Sequence, residues 1–152
     1  MSENIDVQEM GGCVCQSARQ LARQLTQIYD AAIAPSGLTS VQFGVLARLY
    51  ALGSTGEGGV PLGMLAQRVG RHASTVTRDL RPLVKAGFAA MADDATDRRV
   101  RVVRITPKGV TRLQKAFPLW RQAQARVRDT LGAGSASELK RSLDHASAAL
   151  DG

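Results

Sequence analysis

Residues 61–87 read PLGMLAQRVGRHASTVTRDLRPLVKAG, and their punctuation decides the fold. Pro61 stands where a short helix takes its first turn, and Gly70 where that helix stops. Proline lacks a donor that the first turn does not need, and glycine tolerates a left-handed stop. After the brief turn Arg71-His72-Ala73, a second short helix runs from Ser74 and is expected to stop at Gly87. Val76, Leu80 and Leu83 recur in it at helical spacing, so they form its inward face. Two short helices joined by a tight turn make a helix-turn-helix.

Working outward, FAAM (88–91) and RVRVVRI (99–105) read as two strands with an acidic and arginine-rich tip between them. Alternation breaks at Val102-Val103, which predicts a bulge or burial on both sides. A basic hairpin after a helix-turn-helix makes a winged helix. Upstream, Thr39 and Gln42 form a capping box ahead of the helix SVQFGVLARLYAL (40–52). Downstream, Thr106 is the N-cap and Pro107 the first residue of a long helix, with Val110, Leu113, Phe117, Trp120, Val127 and Leu131 along one side. Pro118 should kink it, and GAGS (132–135) should end it before a last helix carrying Leu139, Leu143, Ala146 and Leu150.

Both ends of the chain carry apolar seams. From Gly11 to Ala34, Val14, Ala18, Leu21, Leu25, Ile28 and Ala32 follow one another at spacings of four, three, four, three and four. Such a seam needs a partner helix. The simplest arrangement packs the N- and C-terminal helices together, within and between two chains, and an intrachain bundle is the alternative. The fold class is therefore mainly α with a small β-wing: a winged helix-turn-helix over 35–106, flanked by an N-terminal dimerisation helix in 1–34 and C-terminal dimerisation helices in 107–152.

The charge points to a partner. The net charge is +7, and it is not spread evenly. Residues 1–34 carry two bases and four acids, 35–115 thirteen bases and five acids, and 116–152 five bases and four acids. A basic excess confined to the proposed winged helix is the electrostatic footprint of double-stranded DNA binding, against the plainer reading of a solubility charge. A recognition helix enters the major groove by its N-terminal half. That half holds Ser74, Thr75, Thr77 and Arg78, with Arg71 before it and Arg81 a turn later. Arginine can grip a guanine edge through two hydrogen bonds, and Ser and Thr can take phosphates or bases. In the wing, Arg99 is the residue placed to enter the minor groove and Arg98 to take phosphate, while Asp97 holds an arginine or shapes the turn. Arg101 and Arg104, deeper in the strand, read as solvent-facing or packing residues, and His72 as a cap or a phosphate contact.

Other classes find little support. The glycine-rich GSTGEGG (53–59) is not followed by the Lys-Ser/Thr of a phosphate-binding loop, and no metalloprotease, dinucleotide or nucleophile-elbow motif is present. Nothing calls for a cofactor. No apolar run reaches the roughly 20 residues of a membrane span. The opening MSENIDVQEMGG lacks a basic segment ahead of an apolar one, so a cytoplasmic protein is expected.

These residues resemble the MarR family of bacterial transcriptional regulators. LAQRVGRHASTVTRDLRPLVKAGF (65–88) is similar to its recognition unit and DDATDRRVRVVRITPKG (93–109) to its wing, with Asp97-Arg98-Arg99 and Ile105-Thr106-Pro107-Lys108-Gly109 as the two landmarks. Nearly the whole chain, about 12–150, is covered. Pro82 departs from the pattern, because many members carry a charged residue there. The resemblance implies a homodimer on a palindromic site, usually a repressor, released by a phenolic compound, drug, oxidant or metal. Cys15 falls where the organic-hydroperoxide-sensing branch carries its reactive cysteine, and Tyr29 matches a tyrosine of that site, whereas Arg19 and Phe43 replace two others.

Arg19 lies one turn after Cys15 and can favour its thiolate. Cys13 is the candidate to resolve an oxidised Cys15, although residues two apart in a regular helix point about 200° apart. A metal site at CVC (13–15) lacks a nearby His or a second cysteine pair, and inert packing of both cysteines is the plain alternative. The effector is then an organic hydroperoxide or a small aromatic or phenolic molecule between the dimer helices and the winged helix. Two further functions stay open here. One is an architectural DNA protein without sequence preference, which would bind random duplex as well as an operator. The other is a peroxidase using Cys15, which would turn over peroxide with a recycling thiol.

Overall fold

The computed structural model describes residues 5–54 and 58–151. The middle of the GSTGEGG loop and the first four residues of the opening segment lie outside that set. Seven helices and a three-stranded sheet are seen in the described residues: α1 (Val7–Met10), α2 (Val14–Ile33), α3 (Ser40–Ala51), β1 (Val60–Pro61), α4 (Leu62–Val69), α5 (Ala73–Lys85), β2 (Ala89–Asp93), β3 (Arg101–Ile105), α6 (Pro107–Leu131) and α7 (Ala133–Leu150). A single 3-10 turn, Ala34–Ser36, links α2 to α3. None of the helices is long and apolar enough to cross a membrane.

Local chemistry sets the boundaries. The Thr39 hydroxyl accepts from the Gln42 amide, and the Gln42 side chain accepts from the Thr39 amide, so the capping box is complete. Gly70 takes a left-handed φ of 65° and ends α4. α5 runs on through Pro82 to Lys85, and α6 runs on through Pro118. Several details differ from the sequence expectation, among them β2 at Ala89–Asp93 and β3 at Arg101–Ile105 in place of 88–91 and 99–105. α2 begins at Val14, with Cys13 as an extended N-cap, rather than near Gly11. α7 begins at Ala133, because Gly132 alone is enough to break the helix. A third strand, β1, pairs with β3 through Val60↔Val103 and Pro61↔Val102; two residues carry no alternation by which a sequence could announce it.

The hairpin has no bulge. Its register runs unbroken from Ala89↔Ile105 to Asp93↔Arg101. Val103 and Ile105 are fully buried on the core side, while Val102 is half-buried on the other, opposite Pro61 of β1. The valine pair is therefore explained by burial on both faces. The core itself gathers Leu46 and Leu49 of α3, Leu65 of α4, Val76, Leu80 and Leu83 of α5, and Leu113 of α6. Truncating one of its fully buried leucines to Ala would cost about 2–5 kcal/mol.

The junction of β3 with α6 closes the end of α5. The Thr106 amide donates to the Phe88 carbonyl at 3.0 Å, the Thr106 hydroxyl to the Gly87 carbonyl, and Lys108 Nζ to the Ala86 carbonyl at 2.9 Å. Ala86 is the C-cap of α5 and Gly87 and Phe88 follow it, so the start of α6 ties down the turn that ends α5. Lys108 and Arg112 lie over the Phe88 ring, with the Arg112 guanidinium carbon 4.8 Å from its centroid. Gly109 is buried here, and a Cβ on it would stand 2.0 Å from the Phe88 carbonyl oxygen. Further along, Trp120 stacks between Phe43 and Phe117 at centroid distances of 5.9 and 5.7 Å. The Tyr29 hydroxyl of α2 donates to Gln124 of α6, and burial raises the Tyr29 pKa above 10.0.

Two outcomes follow. Gly109→Ala should lower stability by about 3 kcal/mol through overpacking against backbone that cannot yield; a urea midpoint equal to that of the wild type would contradict the close approach. Tyr29→Phe should cost about 1 kcal/mol near neutral pH, through loss of one hydrogen bond. A raised pKa in the folded state means that the neutral phenol is favoured by folding, so this advantage is present below pH 10 and fades as pH rises through the Tyr29 pKa. Unfolding curves from pH 7 to 11 should thus show the gap between the two proteins closing.

Candidate nucleic-acid interface

α5 is amphipathic by necessity. Val76 and Leu80 are fully buried and Leu83 nearly so, which turns Ser74, Arg78 and Arg81 outward as an exposed row. These three are the sequence-predicted recognition residues whose polar ends are presented to solvent. The others are engaged or partly covered. Arg71 forms an ion pair with Asp79, bracing the turn against the second turn of α5. The Thr77 hydroxyl donates to the Ala73 carbonyl at 2.9 Å, within its own helix. Thr75 is half-buried, and its amide donates to the His72 carbonyl at 3.0 Å. His72 occupies the N-cap position in an extended conformation, without a side-chain capping bond.

The wing tip is ordered by its aspartates. The Asp94 amide donates to the Val100 carbonyl at 2.8 Å and closes the hairpin, and the Val100 amide donates to the Asp97 carbonyl at 3.0 Å. Asp97 Oδ1 accepts from the Arg99 amide at 3.1 Å and from Arg99 Nε at 3.3 Å. Both roles expected for Asp97 thus meet in one carboxylate: it folds the turn and steadies an arginine. The Arg99 side chain is still 93% exposed, so its guanidinium stands off the tip and can reach a ligand. Arg98 is exposed beside it.

Sequence reasoning passed over Lys85 and read Arg101 only as a solvent-facing or packing residue. Arg101 and Lys85, together with Arg81, Thr77, Val84 and Met91, line a cleft of about 420 Å³ between α5 and the hairpin. The parity of β3 could have found Arg101, since Arg101, Val103 and Ile105 share a face and the last two are core. Lys85 lies four residues after Arg81 and so belongs to the same helical face.

The candidate sensor residues are split. Cys13 and Cys15 are both exposed at the start of α2, with Arg19 one turn on. Cys13 lies outside the helix, so the rule that residues two apart point in opposed directions does not bind it. Tyr29 lies on the same continuous helix, 14 residues from Cys15, roughly 21 Å along the axis. The two do not share a site within one chain. Phe43, where the hydroperoxide-sensing pattern has tyrosine, is buried against Trp120. No group of three metal-ligating side chains is found among the described residues. A separate apolar cleft of about 340 Å³ opens between α3 and α6, lined by Tyr50, Val110, Leu113, Gln114, Phe117 and Pro118.

No protein-family model matches the sequence, and no curated protein matches it closely. Solved structures do. The M. tuberculosis transcriptional regulator MosR in complex with DNA is 35% identical, with a TM-score of 0.80 over 91% of this chain and 96% of that one. The PcaV transcriptional regulator of Streptomyces coelicolor, solved with its natural ligand, is 20% identical, with a TM-score of 0.79 over 99% of both chains. A mutant MarR from E. coli complexed with operator DNA is 17% identical, with a TM-score of 0.78 over 93% of this chain and 99% of that one. These two share the fold, whereas MosR is close enough in sequence to carry kinship. The relatives are transcriptional regulators and not enzymes. The chain belongs to the MarR family of winged-helix transcriptional regulators.

Proposed function

We propose that the protein is a homodimeric, sequence-specific DNA-binding repressor that sits on a palindromic operator. The observation that carries this reading is the outward row Ser74, Arg78 and Arg81 on α5 beside a hairpin that holds Arg99 out at its tip. In a major groove the leading part of that row, Ser74 and Arg78, meets base edges, and the wing arginine meets the negative potential of the adjacent minor groove. Support also comes from MosR, solved on DNA, at 35% identity. Residues 35–106 act as the DNA-binding unit, with 1–34 and 107–152 as dimerisation segments. Val14 is 80%, Leu143 44% and Leu150 86% exposed in the single chain, and a second copy of the same helices is the partner that would cover them. A two-fold dimer also gives the two half-site contacts that helix-turn-helix proteins exploit.

Release from DNA proceeds in this reading by oxidation of Cys15, or by a small aromatic or phenolic effector bound beside the dimer helices. The exposure of both cysteines favours the first, because an oxidant can reach them. The apolar cleft between α3 and α6 favours the second.

Fluorescence anisotropy on duplex from the chain's own upstream region separates these statements. Arg99→Ala should weaken operator binding while leaving dimer and fold intact; unchanged affinity would remove the wing from the mechanism. Arg78→Ala should reduce discrimination between operator and mismatched duplex by about 1–3 kcal/mol. Equal loss on every sequence would make it a phosphate contact. An organic hydroperoxide should release the wild-type protein but not Cys15→Ser. If both stay bound, the cysteines are structural for this purpose, and ligands of the apolar cleft become the effector class to screen.

A further inference from the structure

The cleft between α5 and the hairpin has two well-defined walls. Thr77, Arg81, Val84 and Lys85 recur at helical spacing on one side of α5. Met91 and Arg101 come from the inward face of the hairpin, in line with Val103 and Ile105. Val84 and Met91 supply apolar surface, while Arg81, Lys85 and Arg101 bring three positive charges to one cleft.

Among the described residues no ion pair engages Arg81, Lys85 or Arg101. Asp79 is paired with Arg71, and Asp97 with Arg99. Asp93 stands across the ladder from Arg101, yet no ion pair joins them. Like charges gathered in one concave site repel each other, and an anion seated between them removes that penalty. The position of the cleft says which anion. If α5 lies in the major groove and the wing tip in the minor groove, the surface between them faces the sugar-phosphate strand that divides the two grooves. Deoxyribose offers C–H surface to Val84 and Met91, and its phosphates offer charge to the rim.

We propose that Arg81, Lys85 and Arg101 form a backbone clamp that holds the phosphates of this one DNA strand and fixes how deeply α5 sits in its groove. The clamp rests on the DNA-binding reading above and adds Lys85 and Arg101 to it. Such contacts position the protein without reading sequence, and each displaces condensed cations from the duplex.

The test uses the full chain and two labelled duplexes, one enriched from a random pool by the wild-type protein and one of the same composition in scrambled order. Anisotropy is measured across about 50–300 mM salt. Lys85→Ala and Arg101→Ala should each weaken binding to both duplexes by the same factor, and flatten the plot of log affinity against log salt by about one per protomer. Arg101→Lys should keep the wild-type slope. Asp93→Asn, which removes the carboxylate opposite Arg101, should tighten binding to both duplexes, a gain that misfolding cannot imitate. An unchanged slope in Lys85→Ala and Arg101→Ala, or a loss confined to the enriched duplex, overturns the clamp. A wild-type protein that enriches no duplex and binds none overturns the DNA-binding reading itself, and the clamp with it.

Discussion

The molecule depends on one close approach, where buried Gly109 in the first turn of α6 meets the Phe88 carbonyl just past the end of α5. No side chain fits there, because a Cβ would lie 2.0 Å from that oxygen. The reward for the omission is a firmly tied turn after α5. Thr106 and Lys108 take up the carbonyls of Ala86, Gly87 and Phe88, and Arg112 reaches past the Phe88 ring to donate to the Ser36 carbonyl. That last bond ties the same junction to the turn between α2 and α3. Three parts of the chain far apart in sequence are thus registered at a single point.

Carboxylates decide which arginines remain available. Asp79 takes Arg71, Asp97 steadies Arg99, and Asp144 takes Lys140 on the far helix. Exposed pairs of this kind contribute little to stability; their effect here is on position. Arg71 becomes a brace for the helix-turn-helix, whereas Arg99 is anchored through its Nε and keeps its outer nitrogens exposed. Arg78 and Arg81 are in no ion pair among the described residues, and they are the ones on the open face of α5. A count of arginines could not have made this distinction, because it turns on which acid lies within reach.

What could be read from the residues alone follows the range of the interactions. Local rules carried the capping box at Thr39, the stop at Gly70, the inward row Val76, Leu80 and Leu83, and the start of α6 at Thr106, since each needs only neighbours within one or two turns. β1 was illegible because two residues form a strand only when β3 is beside them. The pairing of Arg71 with Asp79 was not legible, because it depends on how the turn between α4 and α5 folds back over α5. Of the site, the open row and the wing tip were legible. The cleft at Arg101 was hidden, because Val102-Val103 obscured the parity of β3.

The same junction bears on how a signal could reach DNA. α5 is not hinged on a loose loop: the turn after it is held by Thr106 and Lys108 at the start of α6, and its buried face is packed into the core. A displacement of α6 would therefore be felt first at the turn that follows α5. Cys15, at one end of α2, and Tyr29, bonded to α6 near the other, are separated by roughly 21 Å of continuous helix. Cys15 and the Tyr29 contact with α6 thus lie toward opposite ends of α2. Under the proposed dimer and thiol switch, a change at Cys15 would therefore have to act along α2 or across to the second copy.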